Sequence, residues 1–157
     1  MSIRHKEAVM ADHSERWVLN HLIEMCRDEE LALKYAADHV KDPSVKKVFV
    51  ELAAQRAAFA AGLLPHAQRL GGADAADSTT RGALRRGWMA VKAALSGASD
   101  RAMITEAEHS EALALAAYEH ALDVMLPPTA RDVVERQWAE ICLAHDRVQG
   151  LLSHARD

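Results

Sequence analysis

Cysteine, proline and aromatic residues are all scarce in this chain of 157 residues, which holds 2 Cys, 4 Pro and only 4% Phe, Trp and Tyr. Cys26 and Cys142 are too few for a disulfide framework and lack C-x-x-C spacing, so both are expected as reduced core thiols. Few aromatics and only 7 Gly disfavour a sandwich or barrel, which needs β-branched and aromatic strands joined by frequent turns. No uninterrupted apolar run reaches the ~18 residues of a membrane span. The start, Met1-Ser2-Ile3-Arg4-His5-Lys6-Glu7, has charges without an apolar stretch and does not read as a secretory signal. Basic excess is missing too: 19 Lys and Arg face 23 Asp and Glu, a net charge of −4, so no field exists to hold a phosphate backbone. The expectation is a cytoplasmic protein with neither nucleic acid nor membrane as partner. A homodimer is left open.

What the chain does have is apolar bulk, 50% of residues, beside 27% charged ones. That bulk excludes disorder, and the length suits a single domain. Punctuation is sparse. Asp42-Pro43 reads as an N-cap followed by proline in the first turn. Gly71-Gly72 opens a polar stretch, Ser96-Gly97 closes a segment, Ser99 or Asp100 can cap the next, and Pro127-Pro128-Thr129 breaks the chain again. Between these marks the spacing predicts helices over about 14–40, 43–70, 100–125 and 129–154, with a short helix over 81–96. Residues 1–14 lack periodicity and are expected as a flexible arm, with one domain over 15–157 and a crossover over 71–99. Short connections make the first and last helix pairs antiparallel hairpins. The long crossover can return the chain along the bundle before the third helix starts. Pro65 inside the second helix is expected to kink it.

Spacings of three and four mark the face each helix turns inward. The first helix offers Leu19, Ile23, Cys26, Glu30, Leu33 and Ala37. The second offers Val45, Phe49, Leu52, Arg56, Phe59, Leu63, His66 and Leu70. The third gives Ile104, Glu108, Glu111, Leu115, Tyr118 and Leu122, and the fourth Val134, Trp138, Ile141, His145, Val148 and Leu152. Most polar exceptions, Glu30, Arg56, Glu108, Glu111 and His145, fall at about one depth.

Three carboxylates and an imidazole converging in a bundle suit a hard or borderline transition metal, with Glu30, Glu108, Glu111 and His145 as ligands. Iron, as a mononuclear or di-iron centre, is the first expectation, with zinc or manganese in its place. The di-metal pattern also asks for Glu-x-x-His on two helices. The chain has that spacing only at Glu106–His109, which faces away from the seam. The other reading needs no metal: Arg56 neutralises the carboxylates and leaves a structural or partner-binding bundle. Arg81, Arg85, Arg86 and Lys92 are expected as a basic surface on the crossover, with Trp88 and Met89 pinning it to the bundle.

Several blocks occur in order: Cys26-Arg27-Asp28-Glu29-Glu30, Glu51 to Arg56, Arg86-Gly87-Trp88-Met89 with Lys92-Ala93-Ala94-Leu95, Glu108 to Glu111, and Ala144-His145-Asp146-Arg147. Over about residues 17–150 the chain resembles small bacterial ferritin-like four-helix-bundle proteins that carry a domain of unknown function. The resemblance implies an all-α, ferritin-like fold of two antiparallel hairpins joined by a long crossover containing a short helix. It matches Glu30, Glu108 and Glu111 to acidic core positions and His145 to a histidine of the fourth helix. The chain departs from that pattern at Glu29, where Gly is common, and at Pro65.

Overall fold

The computed structural model describes residues 3–71 and 92–155, with side chains of the first helix from residue 14 onward. Among the described residues all regular structure is helical. Helix α1 spans Ile3–His39, α2 Pro43–Arg69, α3 Asp100–Asp123 and α4 Pro128–His154, and a further helical turn lies at 92–95. The crossover motif with Arg81, Arg85, Arg86, Trp88 and Met89 lies outside the described residues.

Local chemistry accounts for the boundaries. Asp42 caps α2 by accepting the Ser44 amide at 2.8 Å, and Pro43 takes the first turn, where its missing N–H costs nothing. Ser99 caps α3 by accepting the Ala102 amide at 3.1 Å. Gly71, at φ +75°, closes the end of α2 in the left-handed conformation that side-chain-bearing residues resist. Pro65 does not end α2, which continues to Arg69. The first helix differs most from expectation, because it begins at Ile3 rather than near residue 14. Residues 3–13, expected to precede the first helix, are helical backbone. Helix formation there does not need the apolar periodicity on which the expectation rested.

The four helices pack as two pairs, α1 on α2 and α3 on α4, and the pairs meet through α1 with α3 and α2 with α4. Asp100 shows how the ends align. Its two carboxylate oxygens accept the amides of Lys41 and Asp42, each at 2.9 Å, so the α1–α2 turn sits against the start of α3. Arg101 donates to the Ala155 carbonyl at 2.8 Å, which brings the end of α4 to the same place. Helices α2 and α3 therefore start together and run the same way.

The interior divides into two apolar compartments. One contains Leu19, Leu22, Cys26, Phe59, Leu63, Tyr118, Val134 and Ile141. The other contains Leu33, Phe49, Leu52, Ile104, Ala144 and Val148. Along α1, α2 and α3 the break between them falls at Glu29, Arg56 and Glu111, all buried. Helix α2 is long and apolar enough to cross a membrane by length and composition alone. Its Arg56, however, is paired with side chains of α1 and α3, as suits a core helix.

Candidate functional site: the ionic layer

Arg56 is fully buried, and Glu29 and Glu111 are 6% and 1% exposed. Arg56 Nε donates to Glu29 Oε2 at 3.3 Å, Nη2 donates to Glu111 Oε2, and Nη1 donates to the neighbouring Gln55. The Ser110 hydroxyl adds a donor to Glu29 Oε2 at 3.4 Å. Phe59, one turn along α2, lies under the guanidinium at 5.6 Å from ring centroid to Cζ, a cation–π contact.

One guanidinium cannot neutralise two carboxylates. Burial pushes the Glu29 carboxyl up to about 7, against the pull of Arg56. Burial also raises Glu111 above the ordinary carboxylate range. It opposes the charge on Arg56 as well, but Glu29 and then Glu111 hold that guanidinium above its usual value. Glu29 Oε1 is left without a hydrogen-bond partner. The layer thus holds one fixed positive charge, one well-paired carboxylate and one carboxylate poised between ionised and neutral forms.

A second polar relay crosses the neighbouring compartment. The Tyr118 hydroxyl donates to Gln137 Oε1 at 2.6 Å, and Gln137 Nε2 donates to the Phe59 carbonyl at 3.2 Å. The Cys26 sulfur lies 3.5 Å from the Tyr118 oxygen. With the Tyr118 proton committed to Gln137, the thiol is the donor in that contact. Burial pushes the Cys26 thiol up to about 12, so it is an unreactive core group.

The four residues expected as ligands occupy three separate contacts. Glu30 lies beside the core rather than in it and takes Lys34 as its partner at 2.6 Å. Glu108 pairs with His145 at 3.2 Å, both partly exposed. Glu111 is engaged by Arg56. The expectation that Glu30 faces the seam is corrected, because Glu29 takes that place. Among the described residues, no group of three or more His, Cys, Asp and Glu side chains is arranged to hold a metal ion. As placed, these donors do not fit a shared iron, zinc or manganese ion.

Sequence spacing missed Glu29 and Gln137, and both omissions have one cause. From Cys26, a step of three reaches Glu29 and a step of four reaches Glu30. From Val134, the same two steps reach Gln137 and Trp138. In each case the shorter step points inward, and Trp138 is only partly buried. The available signal was a partner for Arg56, which needs a carboxylate beside it in the core.

A groove between α1 and α3 adjoins the layer. His21, Glu24, Met25, Asp28, Glu29 and Ser110 line it, together with Leu113 and Ala117. Burial, then the nearby Glu24 charge, pushes the Asp28 carboxyl up to about 6, and Asp28 Oδ1 has no hydrogen-bond partner. Leu113 is exposed, as is Trp17, which stacks on His21 with ring centroids 5.0 Å apart.

Compared with known proteins, residues 15–124 match the model of one family, described as Domain of unknown function (DUF2383). No curated protein matches the chain.

Proposed function

Because the chain belongs to this domain-of-unknown-function family, whose description assigns no activity, we propose from its own residues that it is a non-enzymatic, ferritin-like helix bundle serving as a structural or partner-binding scaffold. The observation that carries the reading is the guanidinium of Arg56 between Glu29 and Glu111. In metal-carrying bundles, inward carboxylates from facing helices surround a cation. In this chain the cation at the centre is a covalently attached side chain. The shared start of α2 and α3 supports the ferritin-like arrangement. The partner-binding role draws on the acidic α1–α3 groove and the exposed Trp17 and Leu113. Two unlinked cysteines suit a reducing, cytoplasmic setting.

The test is a pair of thermal melts on protein purified without chelator, with metal analysis of the same sample. A chelator leaves the melting temperature unchanged under this reading, because no ion binds preferentially to the native state. Stoichiometric iron, zinc or manganese, lost together with several degrees of stability when Glu111 or His145 is changed to Ala, would overturn it. That result would restore the ion held by Glu30, Glu108, Glu111 and His145.

A further inference from the structure

Two stripes of side chains border the groove between α1 and α3. On α1, Trp17, His21, Glu24 and Asp28 recur at steps of four, three and four, which places them on one face of the helix. On α3, Ser110, Leu113 and Ala117 do the same at steps of three and four. All of these except Trp17 line the groove, and Met25 joins them from α1. Trp17 extends the α1 stripe through its stack on His21. From Trp17 to Asp28 that stripe runs about 16 Å. Trp17, His21 and Leu113 are exposed, so the trough opens to solvent along its length rather than enclosing a small ligand.

Its charge is uncompensated. Glu24 and Asp28 stand one turn apart, and among the described residues neither has an ion-pair partner. Burial and then the Glu24 charge both work against an ionised Asp28. Helix α3 brings no relief, because its one strong base is Arg101, in the first turn, against six acids. Such a surface repels nucleic acid and anionic lipid. A second copy related by a two-fold axis would set the same acids against themselves. A small cation would answer the acids and leave Leu113 and Trp17 uncovered. A helix with lysine or arginine beside an apolar stripe meets both needs.

We propose that this trough docks a basic amphipathic helix of a partner protein, about three turns long, with its apolar anchors on Met25, Leu113 and Ala117 and its cations along Glu24 and Asp28. The proposal rests on the partner-binding reading above and names the chemistry of the partner.

The test titrates the full chain with an amidated peptide of about three turns, leucine at i, i+3, i+4 and i+7 and lysine elsewhere. The same peptide with glutamate in place of lysine is the control. Calorimetry gives the affinity, and amide chemical shifts give the place. The expected result is saturable binding of the lysine peptide alone, with shifts centred on His21, Met25, Leu113 and Ala117. Affinity then falls about tenfold or more in Glu24→Gln with Asp28→Asn, and again in the surface change Leu113→Ser. Removing equal charge from α4, by Glu135→Gln with Glu140→Gln, leaves it unchanged. Unaltered affinity in either groove variant, or an equal loss in the α4 variant, overturns the proposal. So does a dimer of the free chain that Leu113→Ser dissociates, which gives the trough to a second copy. Binding that appears only after Arg81, Arg85 and Arg86 are changed to Ser gives it to the chain's own crossover and overturns the proposal as well. None of these results touches the metal-free core, which the melts and metal analysis test separately.

Discussion

Arg56 of α2 and Glu111 of α3 are joined side chain to side chain with almost no solvent contact, in the gap between two apolar compartments. Two charges withdrawn from water are tolerable when paired and expensive when separated. The pair therefore tells more by its removal than by its presence.

Replacing Arg56 by Met strands Glu29 and Glu111 without their cation. The expected loss is about 3–5 kcal/mol of unfolding free energy, read from the denaturant midpoint. Combining Arg56→Met with Glu29→Gln and Glu111→Gln recovers most of it, since no buried charge remains. A single variant as stable as the parent would show that the carboxylates are already neutral in the folded chain.

Stability should depend on pH around the Glu29 carboxyl. Burial raises its folded value from 4.5 to about 7, so the folded state holds its proton more tightly than the unfolded chain does. The folded state thus binds more protons within that interval. This contribution is fully present below about pH 4.5 and is lost as pH rises through about 7. Glu111 and Asp28 are shifted in the same direction. Denaturant titrations at a series of pH values from 5 to 8 should show falling stability, with a flatter profile in Glu29→Gln.

Tyr118→Phe removes the donor to Gln137 Oε1 and the acceptor of the Cys26 thiol in one step. Leaving buried polar groups unpaired costs about 1–3 kcal/mol, with little change in shape. Equilibrium unfolding measures the loss, and Tyr118→Phe with Gln137→Leu should be less destabilised than the sum of the two single changes.

Asp100→Ala frees the Lys41 and Asp42 amides at the α1–α2 turn. The turn is near solvent, so water replaces much of what is lost and the cost stays at about 1 kcal/mol. Hydrogen exchange at those two amides reports it directly, because their protection should fall while that of Leu52 or Ile141 does not.

The sequence was most informative where chemistry is local. The Asp42-Pro43 start and the Ser99 cap involve groups within three residues of each other, and both stand where their residue types place them. The inward direction of Arg56 was also legible, because Leu52 and Phe59 flank it at helical spacing, and that of Glu111 followed from Leu115 and Tyr118 continuing its stripe. Glu30 and Trp138 show where legibility stops. A step of three and a step of four are equally good helix geometry, and hydrophobicity favoured Trp138 over Gln137. The tie is broken by partners on other helices, Arg56 for Glu29 and Tyr118 for Gln137, which no local pattern contains. The start of α1 was hidden for a different reason: helix can form without an apolar stripe to announce it.

The charged floor between the two apolar compartments has a mechanical consequence for assembly. Packed alanine and leucine surfaces alone would let a helix slide by one turn, about 5.4 Å, and find nearly equivalent neighbours. A slide of α2 by that amount carries the guanidinium of Arg56 off its acids and into the apolar shell at the level of Leu52 or Ala60. The layer therefore acts as a detent, setting the vertical alignment of three rods that are otherwise greased by small side chains.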